Sequence, residues 1–142
     1  MSAHPLEKVI AAYNEAWNSH DVEAIVALHT SDSVFENHTS GGKATGPAAI
    51  RELVAGVFRT FPDLHFTTRR LYVRDDLVVQ EWTATATHTQ TMNVRGKTCP
   101  PTGKIVSWNG MDVIPMRDGK VLRKDVYSDS ISYLKQLGVD AI

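Results

Sequence analysis

The sequence is short of the features that most often announce a function. It has one cysteine, Cys99, in 142 residues, so an internal disulfide is excluded and no thiolate cluster exists to hold zinc. Cys99 lies in KTCPPTGK, a turn-rich stretch with no neighbouring histidine, and reads as a bystander thiol rather than a nucleophile. Neither sign of charge is in excess: 15 Lys+Arg against 16 Asp+Glu leave a net charge of -1. With no basic stripe to neutralise phosphates, nucleic acid is not an expected partner. No run approaches the roughly 18 apolar residues of a membrane span. The opening MSAHPLEKVIAAYNEAWNSHD is broken by charges where a signal peptide would carry its apolar region, so a cytoplasmic protein without membrane contact is expected. Repeats, linkers and low-complexity segments are absent too, and the length suits one domain over residues 1–142.

What is present is a change of period. Leu6, Val9, Ile10, Tyr13, Ala16 and Trp17 recur at three- and four-residue spacing, the mark of one helical face. Asp21 is placed to cap a second helix carrying Ile25, Val26 and Leu28. Ser33 to Asn37 reads as a short strand and SGGKATG as a loop, and Pro47 opens a third helix that Phe61-Pro62 ends. From Leu64 the period becomes two. LHFTTRRLYVR and LVVQEWTATATHT flank Asp75-Asp76, KIVSWNGMDVI follows a Pro-Pro-Thr-Gly loop, and Asp118-Gly119 turns the chain back as KVLRKDVYS. Asp129 then caps a closing helix that Gly138 ends.

Helices gathered before a mostly antiparallel sheet indicate an α+β domain with the helices on one face. A strongly twisted sheet of this length curls around them and leaves a cavity. Along one strand Trp82, Ala84, Ala86 and His88 share a face, a large-small-small-polar series that makes a wall with room in front of it.

The element order, with AWNSHDVEAIVALHTSD, TGPAAIRELV, FPDLHF, QEWTATATHT, PPTGK, GMDV and DGKVLRKDVYSDSISYLKQLG, resembles the SnoaL-like branch of the nuclear-transport-factor-2-like superfamily over nearly the whole chain. The resemblance implies a cone-shaped barrel: a curved, mostly antiparallel sheet wrapped around N-terminal helices, with a short C-terminal helix, an apolar pocket and often a homodimer. It also implies the chemistry of polyketide cyclases, ketosteroid isomerases or epoxide hydrolases. The cyclase aspartate falls on Val126, one residue from Asp125, and the cyclase histidine on Asp112. Tyr13 matches the isomerases' helix tyrosine, whereas their base falls on Asn37, which accepts no proton near neutrality. The epoxide hydrolases' Asp-Arg-Asp trio has Asp112, Arg123 and Asp125 as counterparts.

Which of these acids face the pocket is a matter of register. If Asp118-Gly119 is a two-residue turn, Arg117 pairs with Lys120 and Asp112 lies opposite Asp125, with Arg123 and Tyr127 on the same face. If Arg117-Asp118-Gly119 forms a bulged loop, Met116 pairs with Lys120, and Asp112 faces Lys124 beside Val126. The family count favours the second. Asp112 points inward in both, among Val106, Trp108, Gly110 and Ile114, where a poorly solvated carboxyl group is suited to moving a proton near neutrality. A structural ion pair with Lys124 or Arg123 is the bland alternative. Asp129 is read as a helix cap.

The candidate catalytic residues are therefore Asp112, His88, Tyr13 and Asp125, and Trp17, Asn37, His38, Trp82, Trp108 and Val126 are the candidate substrate contacts. Five of these have a plainer reading: His88 as a rim residue, Tyr13 and Trp17 as aromatic core, Asn37 and His38 as turn formers. Glu36, His38 and His29 fall on alternate strand faces, so no metal is expected, and no other cofactor. The leading expectation is a cofactor-independent acid–base enzyme of cyclase or isomerase type acting on a small apolar carbonyl compound, with QTMNVRGKTCPPTGK over the mouth. A non-catalytic binding protein, or a scaffold dimerising through its threonine-rich outer sheet face, is the alternative, and an epoxide hydrolase the third.

Overall fold

The structure, a computed structural model, describes residues 4–94 and 96–139. Helix α1 (Pro5–Asn18) starts where the His4 ring accepts from the Leu6 N–H, and it buries Ile10, Tyr13 and Trp17 on one face. Helix α2 (Val22–Ala27) is capped by the Asp21 carboxylate. Strand β1 (His29–Asn37) and the short β2 (Lys43–Thr45) follow, then α3 (Pro47–Thr60), β3 (His65–Arg74) and β4 (Leu77–Thr87). Two short strands, β5 (Met92–Val94) and β6 (Lys97–Cys99), form a separate hairpin before β7 (Ile105–Arg117), β8 (Lys120–Ser128) and α4 (Ser130–Leu137). Asp129 caps α4 by accepting from the Ser132 N–H, and Gly138 closes it in the left-handed conformation only glycine adopts freely. No described helix is long and apolar enough to cross a membrane.

The main sheet runs β2-β1-β8-β7-β4-β3, with β1 and β8 parallel and every other pair antiparallel. It is curved, as expected, and open, with edges at β2 and β3. The expected loops SGGKATG and QTMNVRGKTCPPTGK contain the short strands β2, β5 and β6, and β1 begins at His29 rather than Ser33. Three-residue strands carry too few alternations to show a period, and the first turn of β1, His29-Thr30-Ser31-Asp32, is polar.

The β7–β8 hairpin has neither expected register. Asp118 and Gly119 both have positive φ, and Arg117 pairs with Lys120 across a two-residue turn. Further along, Val113 pairs with Asp125 and Asp112 with Val126, so Leu122, Arg123 and Lys124 stand opposite only Ile114 and Pro115. The extra residue lies on β8, in a β-bulge opposite Ile114 and Pro115, and Pro115 has no N–H to give a ladder. One residue reverses the parity of β8. Lys124 and Val126 turn inward and are buried, while Arg123 and Asp125 turn outward. The faces are those of the bulged-loop alternative, reached by a bulge inside the strand instead of at its tip.

Candidate active site

A cavity of about 500 Å³ lies between the concave face of the sheet and helices α1 and α3, with β5 contributing Met92, Asn93 and Val94 to its rim. Its size is ordinary for a pocket that holds a small organic ligand. Trp17, Phe35, Phe66, Trp82, Trp108 and Val126 form its apolar walls. Two of these walls are set by packing. The Trp82 indole lies flat on Gly110, its cross-strand partner, where a Cβ would overlap the ring. Trp108 is wedged between Phe61 and Tyr133, with ring centroids 5.3 and 5.5 Å away. Neither indole fills the hollow.

Charge enters this apolar space at two points, Asp112 and Lys124, and both line it. Asp112 is 2% exposed. Its neighbour across β4 is Gln80, whose Nε2 donates to Asp112 Oδ2 at 2.9 Å and to Asn14 Oδ1 at 3.1 Å. Asn14 Nδ2 returns a bond to Gln80 Oε1 at 2.8 Å. The paired amides join α1 to the sheet and fix the carboxyl plane, leaving Asp112 Oδ1 buried with no hydrogen-bond partner. An unsatisfied buried oxygen is costly in a finished core and useful where a ligand supplies the missing proton.

Lys124 reaches inward from β8. Its Nζ lies 3.8 Å from Asp112 Oδ2, too far for a hydrogen bond, and 4.3, 4.9 and 5.0 Å from the ring centroids of Trp17, Tyr13 and Phe35. Three ring faces and one carboxylate make this a site for an ammonium ion. Tyr13 sits behind it, wholly buried and outside the cavity lining, with its hydroxyl 2.9 Å from His29 Nε2. His29 Nδ1 is in turn 2.8 Å from Ser33 Oγ. Burial, aided by the Lys124 charge, pushes His29 down to about 3, so the ring bridging the two hydroxyls is neutral. Burial likewise raises Tyr13 above the ordinary phenol value, against the pull of Lys124.

Several expected site residues lie elsewhere. Asp125 is on the outer side of β8, where Arg123 Nε donates to both its oxygens and His38 Nε2 meets Oδ1 at 2.7 Å. Burial pushes its carboxyl up, but the bonds from Arg123 and His38 prevail and hold it below the usual range. The Asp112, Arg123 and Asp125 trio is thus split across the sheet, with Asp112 on the inner face and the other two on the outer. His38 stacks on Tyr127 with centroids 4.5 Å apart and leaves the cavity to its neighbours Asn37 and Thr39. Asn37 does line the mouth, although its Oδ1 is engaged by the Thr39 and Ser40 N–H groups as a turn former. His88 is not a rim residue: it is fully buried, Nδ1 accepts from the Thr102 N–H at 3.2 Å, and the ring is outside the lining. Glu36, His38 and Asp125 bring ligand-type atoms within 4.8 Å of one another, but Arg123 already spans the two carboxylates. Tyr13, His88, His38 and Asp125 therefore lie outside the cavity that gathers Asp112, Trp17, Asn37, Trp82, Trp108 and Val126. Asn14, Gln80 and Lys124 were missed as site residues. The alternation of β4 puts Gln80 inward beside Trp82, a polar residue in an apolar series, and that signal was readable.

The sequence model of the SnoaL-like polyketide cyclase family matches residues 7–137. The chain belongs to that family. Among solved structures, this SnoaL-like protein is similar to AclR from Streptomyces galilaeus, described as a candidate hydroxylase. The identity is 26% and the TM-score 0.80, over 96% of this chain and 87% of that one. It is also similar to IdmH from Streptomyces antibioticus, a candidate polyketide cyclase, at 27% identity and a TM-score of 0.79, over 96% of this chain and all of that one. A SnoaL-like candidate cyclase from Jannaschia sp. CCS1 shares the fold, with 20% identity and a TM-score of 0.80 over 99% of both chains. No curated protein sequence matches significantly.

Proposed function

We propose that this SnoaL-like protein is an acid–base enzyme of cyclase or isomerase type, which uses protein side chains alone on a small, apolar, carbonyl-bearing molecule. The observation that carries the reading is Asp112 Oδ1, a carboxylate oxygen buried at the cavity wall without a partner. Asp112 takes the proton from the carbon next to the substrate carbonyl and returns it at the end of the cycle. Gln80 and Asn14 hold its plane, and Trp17, Trp82, Trp108 and Val126 shape a dry slot for a molecule of a few rings. Membership of a cyclase family and likeness to IdmH support this class of chemistry.

The test is exchange of the α-protons of a bicyclic ketone such as β-tetralone in D2O, followed by NMR. The wild type should speed exchange, and Asp112→Asn should abolish the gain while still binding the ketone. Full activity in that variant would reject the role. A non-catalytic pocket is the second reading, favoured by Val126 standing where the cyclases resembled here carry their aspartate; binding without exchange in the wild type would support it.

A further inference from the structure

The acid–base reading of Asp112 leaves Lys124 unexplained. A lysine in a cavity lined by aromatic rings is expensive to bury, and a leucine or methionine would pack there at no electrostatic cost. Its ammonium is kept by three ring faces and by a carboxylate 3.8 Å away, so no short bond to Asp112 uses its N–H donors. Among the described residues no other carboxylate lies within 4.0 Å of it.

Charge conservation gives this arrangement a purpose. With Asp112 ionised and Lys124 protonated, the site holds one negative and one positive charge. When a neutral ligand gives its proton to Asp112, the O–H or C–H bond breaks, the proton joins the carboxylate, and the electron pair stays on the ligand as an enolate or phenolate. The negative charge moves from Asp112 to the ligand oxygen, and Lys124 remains its counterion. The dry pocket never holds an unpaired charge, so the transfer avoids the large cost of isolating an anion there. A ligand that arrives already charged breaks the balance, because a carboxylate would put two anions beside one ammonium.

We propose that Lys124 is an oxyanion-binding residue and that the site accepts neutral oxygen acids, enolisable β-dicarbonyl compounds and phenols, as their anions while refusing carboxylates. The proposal rests on Asp112 as proton acceptor and adds the substrate class and the group that holds the charge.

The experiment uses para-nitrophenol, whose anion absorbs apart from the neutral form, with benzoate as the charged comparison. At a pH below the phenol's own pKa, the wild type should bind it as phenolate, and calorimetry in two buffers of different ionisation enthalpy should show no net proton exchange. Lys124→Met should bind it as the neutral phenol, about 10-fold more weakly or worse, the usual loss for a charge-assisted bond. Benzoate should bind the wild type at least about 10-fold more weakly than the phenol, by the same scale. Phenolate absorption retained in Lys124→Met, benzoate binding as tightly as the phenol, or no phenol binding at all would overturn the proposal. If Lys124→Met does not fold, the wild-type proton count and the benzoate comparison decide alone. Ketone exchange that persists in a folded Lys124→Met would sink the oxyanion role and leave the acid–base reading standing. Phenolate binding without ketone exchange would do the reverse.

Discussion

Trp82 and Gly110 form a cross-strand pair in which the indole of one occupies the space a Cβ of the other would need. This contact holds Trp82 flat against β7 and keeps the cavity open in front of it. Gly110→Ala should therefore destabilise the protein by about 1–3 kcal/mol, as overpacking does, and should weaken ligand binding by pushing the indole into the hollow. Chemical denaturation and a binding titration check this; unchanged values in both would mean that Trp82 has another way to lie.

His29 supplies a pH dependence of stability. Its ordinary value is 6.5 and burial lowers it to about 3 in the folded chain. Between these limits the unfolded chain binds a proton that the folded one does not, so stability is complete above pH 6.5 and falls as pH drops toward 3. The slope from this residue should approach about 1.4 kcal/mol per pH unit. Urea unfolding of the wild type and His29→Gln at several pH values separates it; the same acid slope in both proteins would refute the assignment.

Asp112 and Lys124 should be coupled energetically despite their 3.8 Å separation. Asp112→Asn leaves the ammonium without its carboxylate, at a cost of about 3 kcal/mol, and Lys124→Met strands the carboxylate. The double variant should lose less than the sum of the two by about 1 kcal/mol or more. Strictly additive losses, measured from denaturation midpoints, would show that the two charges ignore each other.

The outer face of the sheet carries a different prediction. Val79 pairs with both Tyr72 and Val113, and Met111 with Tyr127, so apolar side chains interrupt the polar run of Thr83, Thr85 and Asn109. We expect a homodimer through this face, and Val113→Lys should shift it to monomer. Sedimentation of the wild type as a monomer at micromolar concentration would remove the expectation.

Much of this was legible in the sequence, for physical reasons that can be named. The inward series Trp82, Ala84, Ala86 and His88 follows from period two, and every member is buried. Asp112 shares that parity and faces in under either register. The β7–β8 pairing was harder, because the insertion falls at Leu122 and Arg123, between the inward Val121 and Lys124, and a single shift of parity in so short a strand leaves no periodic trace. Pro115 was the available clue: a proline within a strand predicts a break in one ladder. The burial of His88 was lost for another reason. The loop that covers it, with Thr102 bonded to its ring, has no period at all.

The most direct test of the central claim watches the proton arrive. Infrared difference spectra of the protein, recorded on adding a β-diketone that is neutral in solution at the working pH, such as acetylacetone, should show the carbonyl stretch of a newly protonated carboxyl group together with the bands of the diketone enolate. Asp112→Asn should bind the diketone and lack that stretch. Enolate bands without a carboxyl signal in the wild type, or an identical signal in Asp112→Asn, would contradict the account.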